Sequence, residues 1–336
     1  MKAVIPLAGK GTRLRPHTYV NPKPLVRVGG KPVMSYILDD LRELGVEEIV
    51  FITGYLKEKI EDYVRREYAD FRSHFVEQPV QNGTAGAVKL AQPYIDEDVL
   101  IVFVDTLFDA DLSIVRDLPD EVAGVIWAKE VEDYQRFGVI VTDPQGYMKR
   151  IVEKPKDPIS RLANIGLYYV RDWKLLFEGI DHTLGRPKAP GEEYYLTDAF
   201  QYMIDRGAKL KTVEVEGWYD CGEPKTLIET NRHLLETGRA RRPAGGVGVR
   251  IHDPVLIAEG VTLEEVEIGP NVTIGAGSVI RHSRIRDSLI GEGVVIEGAT
   301  LHDSLVGDKV RLRGVNGRVS VADHSEVLGD WSGVDG

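Results

Sequence analysis

Hydrophobic positions over residues 1–236 switch repeatedly between the period of a strand and the period of a helix. Ala3–Leu7 is a short apolar run leading into glycines. Met34, Ile37, Leu38, Leu41 and Leu44 then fall at helical spacing. They predict a helix over Pro32–Leu44, with Pro32 at its first position and Gly45 at its end. Ile49–Ile52 reads as a strand, Lys57–Tyr68 as a charged amphipathic helix, His74–Val76 as a short strand and Thr84–Ile95 as a helix. Val99–Val104 is six consecutive apolar residues, the pattern of a strand buried on both faces. This alternation predicts an α/β, Rossmann-like fold, with a mixed, mainly parallel sheet and helices on both faces. From 122 to 170 the pattern turns strand-rich, in Val122–Ala128, Gly138–Thr142 and Gly166–Val170. Helices near 192–206 and 223–236 bracket a strand at Leu210–Val215.

Residues 237–251, with the basic, glycine-rich stretch Gly238–Gly248, read as a linker. Beyond it a new period begins. Ile274-Gly275, Ile290-Gly291 and Val306-Gly307 recur at a spacing of sixteen, each followed by Val279-Ile280, Val295-Ile296 or Arg311-Leu312. Ile268, Ile274 and Ile280 fall six apart. Over 252–329 this predicts a β-solenoid of hexapeptide-like turns. A small β-sandwich accounts for the turns but not for the fixed spacing. Residues 330–336 form a polar, Gly/Asp-rich tail that is expected to fray.

Two domains also suit a length of 336 residues. The 53 acidic and 42 basic side chains leave a net charge of -11, which disfavours nucleic acid or an anionic membrane as main partner. A polyanionic ligand would then need a local cluster of Lys and Arg. The lone Cys221 allows neither an internal disulfide nor a cysteine-based metal site, which is compatible with a reducing cytoplasm. Met1–Pro6 has no signal-peptide architecture, and no apolar run approaches the roughly 20 residues of a membrane span. The expectation is a soluble, cytoplasmic protein.

The candidate chemistry starts where the first strand runs into Gly9-Lys10-Gly11-Thr12-Arg13. Ligands of open α/β sheets bind at such a carboxyl end, glycines admit phosphate oxygens, and an arginine fork can bridge two of them. Leu14 breaks the dinucleotide spacing, and Thr53-Gly54 after the 49–52 strand offers no acid for a ribose. The P-loop pattern fails as well, because Gly9-Lys10 is followed by Gly. A merely structural glycine turn stays open on this segment alone. Asn21-Pro22-Lys23-Pro24-Leu25 places a lysine between two prolines, which restricts its backbone.

These segments resemble the sugar-1-phosphate nucleotidylyltransferases, the nucleotide-sugar pyrophosphorylases. The resemblance is carried by Leu7-Ala8-Gly9-x-Gly11-Thr12-Arg13-Leu14-x-Pro16-x-Thr18 and Pro22-Lys23-Pro24-Leu25. It continues through Gln78, Gly83-Thr84-Ala85, Phe137-Gly138-Val139, Glu153-Lys154-Pro155, Asn164-Ile165-Gly166-Leu167-Tyr168 and Trp218-Tyr219-Asp220. It covers residues 1–236 in the family's order and implies that the solenoid is a left-handed parallel β-helix, which several members carry.

The resemblance implies Mg²⁺-assisted in-line attack of a sugar 1-phosphate on the α-phosphate of a nucleoside triphosphate. That nucleophile is already an anion, so no general base is needed and positioning dominates. Leu7, Ala8, Gly9, Gly11, Thr12, Arg13, Lys23, Gln78, Gly83 and Thr84 are the expected nucleotide site. Gly138, Glu153, Lys154, Asn164 and Tyr168 are the expected sugar-phosphate site, Tyr168 being also a natural core residue. Asp105 and Asp220 are the expected Mg²⁺ ligands, and Arg13, Lys23, Asp105 and Lys154 the expected catalytic set. Asp220 before a helix also suits an N-cap or turn. Asp105 departs from the family pattern in following Val104 rather than Gly. Adjacent strand residues face opposite ways, so either Glu153 or Lys154 must sit at a bend.

A Gln78 amide matches N3–H and O4 of uracil or thymine, and equally N1–H and O6 of guanine. Gln78 resembles uridylyl- and thymidylyltransferases, whereas Gly83-Thr84-Ala85-Gly86 also resembles mannose-1-phosphate guanylyltransferases. The favoured pair is dTTP or UTP with glucose 1-phosphate. An added acetyltransferase would need a catalytic histidine, yet His282 and His302 do not recur at the spacing of sixteen. A non-catalytic binding subunit would be expected to lose Arg13, Lys23 or an aspartate, and all are present. Flat solenoid faces suggest a homo-oligomer.

Overall fold

The computed structural model describes residues 1–188, 191–241 and 248–329. Most of the expected linker's glycine-rich core, 242–247, and the expected tail, 330–336, lie outside the described residues. The chain forms two compact units, Met1–Gly9 with Tyr36–Trp218, and Lys10–Ser35 with Tyr219–Gly336.

The first unit is built on a nine-stranded mixed sheet. Strands Val99–Val102, Lys2–Pro6, Glu48–Thr53 and Arg72–Glu77 lie side by side and parallel. Leu162–Val170 joins antiparallel to Val99–Val102, with Tyr168 opposite Ile101. It also pairs with Val122–Glu130, which carries Lys209–Glu214 in parallel, and with Gly138–Thr142, which carries Met148–Glu153. Val99–Val102 is wholly buried, as an uninterrupted apolar run in a sheet covered on both faces should be. The ladder stops at Val102 rather than Val104; Phe103 N–H makes one last bond to the Gly166 carbonyl, 2.9 Å. Val4, Val50, Ile101, Ile126, Phe177 and Phe200 share the core.

Several elements differ from the sequence reading. The helix expected over Thr84–Ile95 is α-helical only over Thr84–Lys89, followed by a 3-10 turn at Gln92–Tyr94, because Pro93 offers no N–H to continue it. Pro32 ends a short hairpin strand, so that helix spans Val33–Leu44. The helix near 192–206 is Leu196–Asp205. Helix Trp173–Leu184 is an addition; Asp172 caps it by accepting from Leu175 N–H at 3.1 Å, and it buries Leu176, Phe177 and Ile180. Strands Thr106–Asp109 and Met148–Glu153 are additions too.

In the second unit, strands from Val249–Ile251 to Glu326–Leu328 form three five-stranded parallel sheets, the arrangement of a parallel β-helix. Ile274 pairs with Ile290 and Ile290 with Val306, so the sixteen-residue spacing is one coil. Ile268, Ile274, Ile280, Ile290, Ile296 and Leu312 fill the interior. A serine ladder adds to this stack. Ser278, Ser283 and Ser288 accept from the N–H of Val294, Ala299 and Ser304 at 3.1, 3.0 and 3.1 Å.

Residues Lys10–Ser35 fold with this unit as three 3-10 turns and a hairpin. Helix Pro224–Leu234 belongs here as well. Its fully buried Asn231 accepts from Gly29 N–H at 3.1 Å and from the Thr273 hydroxyl at 2.7 Å. Among the described residues no helix is long and apolar enough to cross a membrane.

Candidate functional site

In the first unit, Leu7 and Ala8 extend the strand Lys2–Pro6. Leu7 N–H bonds Ile52 O at 2.7 Å, and the Ala8 carbonyl accepts from Gln81 Nε2 at 2.7 Å. Gly9 follows with open space around its Cα. The Gln78 backbone N–H donates to Thr53 O at 2.8 Å, and the residue is buried. Its Nε2 lies 3.4 Å from Asn82 Oδ1 and 3.5 Å from Gly83 O, both long contacts. Gly83 has φ 113°, and a Cβ there would come 2.4 Å from Tyr194 O. Thr84 opens its helix with Oγ1 accepting from Leu196 N–H, 2.9 Å, while Ala85 N–H bonds Tyr194 O, 2.9 Å. The Gly83-Thr84-Ala85 motif is thus clamped to residues 194–196.

The expected sugar-side residues also meet in this unit. Asn164 Nδ2 donates to Gly138 O at 2.9 Å, and Tyr168 donates its hydroxyl proton to Asn164 Oδ1. Thr197 Oγ1 donates to Glu153 Oε2 at 3.1 Å. A Cβ at position 138 would stand 2.3 Å from Asn164 Nδ2 and 2.9 Å from Glu153 Oε2, so any side chain there would have to displace them. Burial raises the pKa of the Glu153 carboxyl, opposed by the Lys154 charge and the Thr197 hydroxyl. Burial likewise holds the Tyr168 phenol neutral, with the carboxylates of Glu153 and Asp105 adding to the effect. The strand ends at Glu153, and Lys154 takes φ 44°. That bend leaves Lys154 Nζ 3.9 Å from Glu153 Oε1 and 4.9 Å from the centre of the Tyr195 ring. Asp105 sits half-buried in the turn between Val99–Val102 and Thr106–Asp109, beside a buried Val104.

The second unit holds Gly11, Thr12, Arg13, Lys23 and Asp220. Gly11 has φ 60°, and its carbonyl accepts from Thr18 Oγ1 at 2.8 Å. A Cβ at position 11 would stand 2.9 Å from Lys23 Cβ, so the glycine turn and the lysine are packed together. Thr12 and Arg13 begin a 3-10 turn, and Lys23 begins another. Arg13 Nη1 pairs with Glu223 Oε1 at 3.1 Å. Asp220 Oδ1 accepts from Gly222 N–H at 2.8 Å, a turn contact; the N-cap of helix Pro224–Leu234 is Glu223. A Cβ at Gly222 would stand 2.8 Å from Asp220 Oδ1 and 3.0 Å from Arg13 Nη2. Arg13, Asp220, Gly222 and Glu223 therefore form one cluster. Among the described residues no group of three or more His, Cys, Asp or Glu is placed to hold a metal.

Sequence reasoning overlooked Thr197, Glu223, Asn82 and Tyr194. The Glu223/Thr226 capping box is a visible signal for Glu223. Asn82 directly precedes Gly83 in the sequence, whereas Thr197 and Tyr194 are joined to the motifs only by the fold.

Each of the two units thus holds one polar cluster assembled from glycines, a cation and carboxylates. Residues 2–237 match the family model for nucleotidyl transferases, and the chain belongs to that family. It is 35% identical over 270 residues to the bifunctional protein GlmU of Methanocaldococcus jannaschii, covering 79% of this chain and 60% of that one. The chain thus spans 60% and 62% of the length of two such GlmU relatives. It is 34% identical to the UTP–glucose-1-phosphate uridylyltransferase AglF of Haloferax volcanii, over 70% of this chain and 97% of the relative. It is 30% identical to a glucose-1-phosphate thymidylyltransferase of Streptomyces antibioticus, over 86% and 87%. A crystal structure of UDP-glucose pyrophosphorylase complexed with UDP-glucose matches with a TM-score of 0.62 and 25% identity, covering 70% of this chain and 98% of that one.

Proposed function

We propose that the protein transfers a nucleotidyl group from a nucleoside triphosphate to a sugar 1-phosphate, with dTTP or UTP and glucose 1-phosphate as the substrates. The observation that carries this reading is the Gly138–Asn164–Glu153–Thr197 cluster, with Lys154 turned out of its strand beside it. A half-buried carboxylate of raised pKa suits sugar hydroxyls, and a neighbouring lysine suits a phosphate. The names of AglF and the thymidylyltransferase, glucose 1-phosphate transferases both, support the choice of sugar and base.

In the reaction, a phosphate oxygen of the sugar 1-phosphate bonds to the α-phosphorus, and the bond from that phosphorus to the β-phosphate oxygen breaks. Pyrophosphate leaves with the electron pair. Leu7, Ala8, Gly9, Gly11 and Thr12 admit the triphosphate, Arg13 and Lys23 neutralise it, and Gln78, Gly83 and Thr84 hold the base. Gly138, Glu153, Asn164 and Tyr168 receive the sugar and Lys154 its phosphate. Asp105 and Asp220 each offer the hard carboxylate oxygens that Mg²⁺ takes alongside phosphate oxygens and water. Bound Mg²⁺ would supply charge stabilisation at the phosphates. We also propose a cytoplasmic homo-oligomer, and a boundary between catalytic region and β-helix within 237–251. The end of the family match at 237 and the first coil strand at Val249 support that boundary.

The test is a matrix of nucleoside triphosphates against sugar 1-phosphates, scored by pyrophosphate release with and without Mg²⁺. The expected result is metal-dependent release with UTP or dTTP and glucose 1-phosphate. A preference for GTP with mannose 1-phosphate would move the reading to a guanylyltransferase, and release with no pair would end it.

A further inference from the structure

The last coil of the β-helix grips the segment that carries the phosphate-binding motifs. Asn21 Nδ2 donates to Asp323 Oδ2 at 2.7 Å. The other oxygen, Asp323 Oδ1, accepts from Asp308 N–H at 3.0 Å, and Asp308 Oδ1 accepts from Glu292 N–H at 2.8 Å. Each carboxylate therefore locks onto the backbone of the coil before it. Glu292 closes this ladder on the same segment through an ion pair with Arg27 Nη1, 2.8 Å. Lys23 lies between the two gripped residues, Asn21 and Arg27, with Pro22 and Pro24 restricting its backbone. A second leg runs from Ser320 Oγ to the buried His17 Nε2, 3.1 Å. The neighbour of His17, Thr18, bonds the carbonyl of Gly11.

We propose that Asp323 and Ser320 are positioning residues for the triphosphate. In this view the β-helix sets the placement of Lys23 and the Gly11 turn and is needed for nucleotidyl transfer itself. The inference rests on the nucleotide role given above to Arg13 and Lys23. Its physical basis is preorganisation: a cation already fixed loses less freedom when the phosphate arrives.

The test reverses one hydrogen bond in the full chain. Asn21→Asp alone sets two carboxylates face to face and is the disruptive single variant; in Asp323→Asn alone the Asn21 amide can turn over and accept from the new amide, so that variant is not a clean break. The double variant N21D/D323N restores the bond with donor and acceptor exchanged, because the amide oxygen introduced at position 323 can still accept from Asp308 N–H. Asn21→Asp is expected to raise KM for the triphosphate about 10-fold, with KM for the sugar 1-phosphate within about 2-fold of wild type. The double variant is expected to recover. Backbone amide exchange over residues 17–25 should speed up in Asn21→Asp and slow again in the double. Asn21→Asp with unchanged triphosphate KM, or with both KM values raised equally and no recovery in the double, overturns the proposal. If wild type releases no pyrophosphate with any substrate pair, the reading of the function falls, and the exchange arm alone decides whether the last coil orders the segment.

Discussion

The carbonyl of Gly138 accepts a hydrogen bond from Asn164 Nδ2 at 2.9 Å, and the same nitrogen stands 2.3 Å from the place a Cβ at 138 would take. Gly138→Ala must therefore move Asn164, and with it Glu153 and Thr197, whose atoms lie 2.9 Å from that Cβ. Overpacking of this kind costs about 1–3 kcal/mol. The expected result is a rise in KM for the sugar 1-phosphate of about 10-fold or more, with KM for the triphosphate changed little. Wild-type kinetics for both substrates would remove Gly138 from the sugar pocket.

Lys154 holds a backbone conformation that side chains rarely adopt, φ 44°, directly after a half-buried carboxylate. Strain at an exposed lysine is a sign that its direction matters. Lys154→Met keeps the stem near the Tyr195 ring and removes only the charge. A lost charge-assisted bond to phosphate corresponds to about 1.5–3 kcal/mol, hence a fall in kcat/KM for the sugar 1-phosphate of about 10- to 100-fold. The unfolding midpoint is expected to stay within a few degrees. A variant that loses stability but keeps kcat/KM would make Lys154 a structural residue.

What could be read from the residues, and what could not, divides by distance along the chain. Val99–Val102 is evident because a strand covered on both faces has no polar side, and the β-helix because its middle coils each consume sixteen residues. The bend at Lys154 follows from the need to turn neighbouring side chains the same way. Helix Trp173–Leu184 passed unread although Asp172 and its buried Leu176, Phe177 and Ile180 mark it at helical spacing. Thr197 does not show in the sequence at all, and Glu223 only as half of a capping box, so neither is marked there as a site residue. Their partners lie 44 and 210 residues away, and only the fold brings them within hydrogen-bond reach. The same holds for the grip of Asp323 on Asn21, across 302 residues.

His17 provides a pH signature for the second unit. Burial lowers its pKa from 6.5 to about 4. Between those values the unfolded chain binds a proton that the folded unit refuses, so stability rises with pH across that window and is lost as pH falls through it. The shift corresponds to roughly 3 kcal/mol between neutral pH and pH 4. Chemical denaturation at pH 7, 6, 5 and 4 is expected to show a steepening loss below about pH 6.5. His17→Gln, which can still bond the Ser320 hydroxyl, is expected to flatten that part of the curve. An unchanged slope in the variant would assign the acid sensitivity to other groups.

Asp105 tests the metal assignment most directly. It lies in the turn after the buried strand Val99–Val102, half-buried, and its carboxylate contributes to the raised pKa of Tyr168. Asp105→Asn keeps the shape and an acceptor oxygen but removes the negative charge that a hard divalent cation requires. Turnover is expected to fall at least about 100-fold, with a higher Mg²⁺ concentration needed for half-maximal activity. In metal-free buffer the variant is expected to unfold within a few degrees of the wild-type midpoint, because the amide keeps the shape and an acceptor oxygen. Loss of activity together with a collapse in metal-free stability would point to a structural carboxylate. Unimpaired turnover would take Asp105 out of the metal site and leave Asp220 as the proposed carboxylate for Mg²⁺.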